Sequence, residues 1–235
     1  MRLPEQTLDI AGLRTTAIGE PGASLVVVLL HGYAMTPADL TAFAHSIGTP
    51  ALFLLPQAPH CAVDRGCGWW EINPEARQAA LAAGPRDLAN EAPAGLSAAR
   101  ERLAGFIERV RADYSPSLLA IGGFSQGGML ALDFALHAAR RPDALFLMSS
   151  SRLSLRAWRP LQGRLRGLPS LVSHGRQDAD LAFAAGEALR DFLIDSGADA
   201  SWVPFEGGHE IPLVVWRALR KRLDGLLRSQ SESIP

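Results

Sequence analysis

Residues 120–136, AIGGFSQGGMLALDFAL, set Ser125 between Gly123 and Gly127 where an apolar, strand-like run gives way to helical spacing. In a G-x-S-x-G turn the serine sits on a sharp strand-to-helix bend that projects its hydroxyl above the sheet edge, and glycines remove side chains that would collide there. The following helix also points backbone N–H groups and its positive dipole end at the serine. A glycine-rich turn that merely packs tightly would look the same, so the motif needs partners. A serine hydroxyl attacks a carbonyl only when a base takes its proton, and the base needs an orienting carboxylate. With a serine in this turn the expected chain order is Ser, Asp or Glu, then His, each just past a later strand. Asp178 follows the strand-like SLVSHG in RQD, and His209 follows ASWVPFE in GGHE. Ser125, His209 and Asp178 are therefore the predicted nucleophile, base and orienting acid of an acyl-transfer site. Asp180 is the alternative acid, although it is better placed to cap the next helix. His174 reads as a hydrogen-bonded structural residue, His45 and His137 fall in helices, and Glu206 stands too close to His209 to orient it.

The developing oxyanion needs two donors. One is the N–H of Gln126, directly after the nucleophile, and the other is expected from Tyr33 in LLHGYAM. Both are backbone groups, so side-chain identity should matter little. His31 reads as architectural, holding that loop. Trp69 and Trp70 are candidates to line the substrate pocket, one lining and one anchoring, with Trp69 preferred as the liner. Met35 also falls near the cleft, and Phe124 reads as packing at the turn.

These loops need a frame. SLVVVLLHG (24–32), ALFLLP (51–56), SLLAIGGF (117–124), ALFLMSS (144–150), SLVSHG (170–175) and ASWVPFEGG (200–208) are short, nearly continuous apolar runs bounded by Gly, Pro or Ser. That pattern predicts strands buried on both faces of a mostly parallel sheet. QTLDIAGLRTTAIG (6–19) predicts an opening hairpin or edge strand. Helices are expected over 36–47, with Thr36 as N-cap and Pro37 at the first position, and over 94–114, 180–197 and 211–227, with a frayed tail after 227. Strand and helix alternating in this way predict one α/β layered unit over 1–235. The stretch 56–93 breaks the rhythm. Rich in Pro and Gly and carrying adjacent tryptophans, it reads as a long irregular, lid-like loop.

With 23 Lys and Arg against 24 Asp and Glu, the net charge is −1, which argues against nucleic acid as a partner. LVVVLL (25–30) is too short to span a bilayer, and the N-terminus lacks the apolar segment of a secretion signal. The expectation is a cytoplasmic protein with no stable membrane insertion, and Cys61 and Cys67 as free thiols. The arginines around Trp158 in 151–167 read as a solvated cap rather than as a dock for an anionic ester.

Taken together, LLHGY, LPQAP, GFSQGG, HGRQD and GGHEIP, in this order between residues 29 and 212, resemble the carboxylesterase and phospholipase family that includes the acyl-protein thioesterases. The resemblance implies an α/β-hydrolase fold with helices on both faces of the sheet and no metal or organic cofactor. It further implies hydrolysis of small acyl esters or thioesters by Ser125, Asp178 and His209, with oxyanion amides from Tyr33 and Gln126. The chain departs from the family where Ala34-Met35 replaces a frequent Gly-Asp, and where Ala179-Asp180-Leu181-Ala182 follows the acid in place of a proline-containing run. Trp69-Trp70-Glu71, where thioesterases carry an aromatic pair and Asp, is a third departure, and together they point to a bacterial-type esterase rather than a depalmitoylating enzyme; the expected substrates are short- or medium-chain acyl esters. A lysophospholipase, a protein thioesterase and a catalytically silent ligand-binding relative remain alternatives, and homodimerisation is left open.

Overall fold

The computed structural model describes residues 3–62 and 66–232. An antiparallel hairpin, β1 (Glu5–Ile10) and β2 (Leu13–Ile18), opens the chain, followed by β3 (Leu25–Leu30), α1 (Ala38–Ser46) and β4 (Leu52–Pro56). After a small hairpin of β5 (His60–Ala62) and β6 (Gly66–Gly68) come α2 (Pro74–Ala83), α3 (Leu96–Tyr114), β7 (Leu118–Phe124) and α4 (Gln126–His137). Then follow β8 (Ala144–Met148), α5 (Leu155–Trp158), a 3-10 turn (Arg159–Leu165), β9 (Pro169–Gly175), α6 (Phe183–Asp195), β10 (Asp199–Phe205) and α7 (Leu213–Glu232).

Eight strands form one sheet in the order β1-β2-β4-β3-β7-β8-β9-β10. The β1–β2 and β2–β4 pairs are antiparallel and the rest are parallel. Strand alternation divides the core in two. Val26, Val28 and Leu30 of β3 face α3, α4 and α6 through Leu103, Phe106, Leu130, Leu189 and Leu193. Leu25, Val27 and Leu29 face α1 and α7 through Leu40, Ala44, Trp216 and Leu219. All six β3 residues are buried, which is why the run shows no polar alternation. Among the described residues no helix is long and apolar enough to cross a membrane.

Four sequence expectations are corrected. The segment 56–93 is not irregular throughout: it holds β5, β6 and α2. Asn73 caps α2 by accepting from Ala76 N–H at 2.9 Å, with Pro74 as its first residue. Cys61 and Cys67 are not free thiols but a disulfide. They face each other across the β5–β6 pair with Cα atoms 4.0 Å apart, so hairpin pairing brings their sulfurs together without any metal or redox motif in the sequence. Thr36 does not cap α1. Its own N–H and hydroxyl instead donate to the Asp39 carboxylate, at 2.7 and 3.0 Å. Finally, α7 continues to Glu232 rather than fraying after 227.

Candidate active site

The site lies where β3, β7, β8, β9 and β10 deliver their C-terminal loops. Ser125 joins β7 to α4 with φ 50° and ψ −117°, a conformation that costs energy for any residue with a side chain. Its surroundings over-determine it. Ser125 N–H donates to Met148 O at 2.9 Å, and its carbonyl accepts from Gly128 N, Met129 N and the Ser150 hydroxyl at 3.0–3.1 Å. The flanking glycines are required by contact: a Cβ on Gly123 would collide with the Gly127 backbone, and one on Gly127 with the carbonyl of Leu30. Strand, helix and neighbouring strand thus meet at backbone distance, and a motif visible in the sequence is the trace of that approach.

His209 is carried by the loop between β10 and α7. Gln177 N–H donates to Gly207 O and Arg176 N–H to Phe205 O, both at 2.9 Å, so this loop is pinned to the one after β9. Gly175 makes the fit possible, since a Cβ there would overlap the carbonyls of Gly207 and Gly208. The Ser149 hydroxyl donates to Glu210 O at 3.0 Å and fixes the far side. His209 Nδ1 lies 2.7 Å from Asp178 Oδ2, and its ring rests against Phe124, the residue before Ser125, with centroids 4.7 Å apart. Among the described residues the Ser125 hydroxyl has no hydrogen-bond partner and His209 Nε2 none either. Catalytic contacts of this kind commonly tighten only when substrate is bound.

The Asp178 side chain is fully buried. Burial pushes its carboxyl toward the neutral form, but His174, His209 and the Leu181 amide outweigh this and hold it well below the ordinary carboxylate range. Oδ1 accepts from Asp180 N–H and Leu181 N–H, both at 2.9 Å, and Oδ2 faces His209 and, at 3.3 Å, His174 Nε2. The alternative acid, Asp180, is engaged elsewhere, with its carboxylate bonded to Arg77 and Arg86. Nor does it cap α6, whose N-cap is Ala182 without a side-chain bond.

Tyr33 and Gln126 both offer their backbone N–H groups, which donate to no acceptor among the described residues. The Tyr33 hydroxyl reaches Ile72 O at 3.4 Å, and Arg77 lies 5.5 Å from its ring centroid. His31 is buried and, mainly through burial, its pKa is lowered. Its Nε2 accepts from Ala58 N–H at 3.0 Å, so the proton sits on Nδ1, which donates to Gly32 O at 2.8 Å. This neutral ring stiffens the loop carrying Tyr33, as expected.

Both tryptophans are buried, Trp69 to 2% exposure and Trp70 to 4%. Trp69 Nε1 donates to His31 O at 2.9 Å and its ring leans on His31, while the Trp70 Cβ packs against Gly95. Their surface is spent almost wholly on the core. Met35 is half-buried, with its sulfur beside Gly32 and next to Phe124. The Gln126 side chain, which the sequence reading dismissed, is bound at both ends: Oε1 accepts from Trp69 N–H at 2.8 Å and Nε2 donates to Trp70 O at 3.1 Å. One stretch therefore braces both oxyanion candidates. Cys67 pairs with Ala34 and Met35 through two 2.9 Å backbone bonds, and Trp69-Trp70 grip Gln126. No local signal announces a contact between residues 57 positions apart. In the arginine-rich segment, Trp158 is buried with Nε1 bonded to Asp133 at 2.7 Å, and Arg152 pairs with Asp87 at 2.8 Å.

The profile of the phospholipase/carboxylesterase family matches residues 15–226. Acyl-protein thioesterase 1 of Gibberella zeae is 25% identical over 170 residues, which cover 67% of this chain and 69% of that protein. Among solved structures, esterase PE8 is 25% identical with a TM-score of 0.71, covering 97% of this chain and 99% of its own. A carboxylesterase from Mesorhizobium loti, 19% identical, reaches a TM-score of 0.74 over 94% of this chain and 99% of its own. Acyl-protein thioesterase 2 of Zea mays, 20% identical, reaches 0.69 over 91% and 99%. With an α/β-hydrolase sheet and a family match that runs from β2 into α7, the chain belongs to the phospholipase/carboxylesterase family and is a hydrolase of ester bonds.

Proposed function

We propose that the protein is a serine carboxylesterase that cleaves short- to medium-chain acyl esters through an acyl-enzyme on Ser125. The observation that carries this reading is the His209 Nδ1–Asp178 Oδ2 contact of 2.7 Å, made by a histidine whose ring packs against the residue preceding Ser125. With Nδ1–H donating to Asp178, the proton-free Nε2 is the atom left to act as base. Ser125 Oγ attacks the substrate carbonyl carbon as its proton passes to His209 Nε2, and the imidazolium is balanced by the Asp178 anion. The carbonyl oxygen becomes an oxyanion that takes hydrogen bonds from Tyr33 N–H and Gln126 N–H. As the tetrahedral species collapses, the bond to the leaving oxygen breaks and that oxygen takes the proton from His209. Water then attacks the acyl-enzyme with His209 again as base, releasing the carboxylic acid and restoring Ser125.

Every group in this scheme comes from one chain, so it requires no dimer. A thioester would pass through the same steps with sulfur as leaving atom, and the similarity to a named acyl-protein thioesterase favours testing it. Turnover on p-nitrophenyl esters of graded chain length, beside matched thioesters and lysophospholipids, separates the substrate classes. A fluorophosphonate probe should add its mass at Ser125. No adduct there, or equal turnover by the Ser125→Ala variant, overturns the proposal.

A further inference from the structure

His174, the penultimate residue of β9, stands four residues before Asp178 and is completely buried. Its Nε2 lies 3.0 Å from Leu181 O and 3.3 Å from Asp178 Oδ2. Both neighbours are acceptors, so Nε2 carries a proton, and the ring atom left over is Nδ1. That Nδ1 is buried and has no hydrogen-bond partner. The seat is built for a flat ring: Gly186 of α6 touches Cγ and Nδ1, leaving no room for a Cβ, and Phe183 meets the ring edge-on at 6.3 Å between centroids. An orphaned ring nitrogen in the core is unfavourable, and an apolar ring would avoid that cost. The compensation lies at the other nitrogen. Asp178 Oδ1 is held by two backbone N–H groups, whereas Oδ2 meets only imidazoles, His209 on one side and His174 on the other. Two backbone donors hold Oδ1 and His209 holds Oδ2, while His174 Nε2–H lies between Leu181 O at 3.0 Å and Oδ2 at 3.3 Å, so turning the carboxylate about its own axis would disturb contacts at both oxygens.

We propose that His174 is a positioning residue: its buried Nε2–H fixes the Asp178 oxygen that receives His209 Nδ1–H, forming a His–Asp–His array. The inference rests on the reading of Asp178 and His209 as acid and base. His174 does not touch substrate and exchanges no proton in turnover. It sets the angle at which Asp178 holds the base.

The test compares His174→Phe, which keeps a ring and removes the donor, with His174→Gln, whose Nε2 can reach the same place. In H174F, kcat on a short p-nitrophenyl ester should fall on the order of tenfold to a hundredfold, as expected for a slightly misplaced catalytic group. KM should stay within about twofold, because substrate contacts are untouched. H174Q should recover most of the loss. The downfield proton signal of His209 Nδ1–H, recorded without substrate, should shift in H174F and return in H174Q. Wild-type kcat and an unmoved signal in H174F overturn the proposal, as does an H174Q as impaired as H174F at equal Tm, which would make the role one of ring packing. If H174F does not fold, H174Q carries the test alone, and loss of kcat or of the signal at unchanged Tm overturns it. Should Ser125 fail to label with fluorophosphonate in the wild type, the functional reading falls, while the His209 signal still decides the role of His174.

Discussion

The rim that carries Ser125, Asp178 and His209 and the segment from β5 through α2, which touches the loops bearing Tyr33 and Asp180, are built differently. At the rim, backbone meets backbone: glycines at 123, 127 and 175 admit carbonyls where a Cβ would collide, and Ser125 is held by four hydrogen bonds to its own N–H and C=O. The β5–α2 segment is held from outside. Helix α2 buries none of its residues, and it is tethered through Arg77 to Asp180, two positions past Asp178, with Arg86 bonded to the same carboxylate. The β5–β6 hairpin is closed by the Cys61–Cys67 disulfide and paired to the Tyr33 loop through Cys67. The proposed catalytic residues thus sit where backbone contacts are tightest, whereas the β5–α2 segment rests on polar and covalent ties that solution conditions can loosen.

That contrast can be broken first at the rim. Ser125→Ala should lower kcat by roughly a millionfold if the three residues act as a unit, with Tm nearly unchanged, as read by ester hydrolysis and thermal melting. Asp178→Asn should cost about ten-thousandfold in kcat by presenting the wrong tautomer of His209. Its pH counterpart has a definite sign. The folded-state pKa of Asp178 is depressed, so its contribution to stability is in full force above the unfolded value near pH 4 and is lost only as pH falls through the folded value. Between pH 5 and 8 this contribution to Tm should therefore be constant, and D178N should lose Tm less steeply than the wild type as pH falls into strong acid.

At the boundary between the two regions, Gln126→Ala keeps the oxyanion N–H but strands Trp69 N–H and Trp70 O. Stability should drop by about 2 kcal/mol, the scale for buried polar groups left unpaired, and kcat should fall less than the roughly hundredfold or more that follows loss of an oxyanion donor. Urea melts and kinetics on one preparation check both. The smallest effects on turnover belong to the β5–α2 segment. Asp180→Asn should free α2, seen as faster proteolysis and hydrogen exchange over 74–83, with kcat changing less than about threefold because the pair is not in the reacting group. The Cys61–Cys67 disulfide closes a sequence separation of only 6, so its reduction should lower stability by about 2 kcal/mol at most. A reducing compartment would keep these thiols apart, and alkylation of protein taken directly from cells reads which state is native there.

The same contrast explains what could be read from the chain. Gly123 and Gly127 announce Ser125 because their reason is local, and Asp178 and His209 announce themselves by following apolar runs at strand ends. Thr36, Cys61 and Cys67 mislead for the opposite reason. A threonine before a helix looks like a cap until Asp39 turns back to it, and two cysteines outside any redox or metal motif look like free thiols until the β5–β6 pairing sets them opposite each other.

By itself the sequence determined the order of the central strands and of α1, α3, α4, α6 and α7, the burial of those strands, the sharp turn at Ser125 and the succession of serine, acid and histidine, because each follows from spacing and residue type over a short stretch. Only the tertiary structure decided which carboxylate of 178 and 180 meets His209, that both tryptophans serve the core, that Gln126 grips them, and that His174 shares the acid's oxygen. These are contacts between loops separated by tens of residues, and their geometry is set by how the sheet brings its strand ends together, which no local pattern encodes.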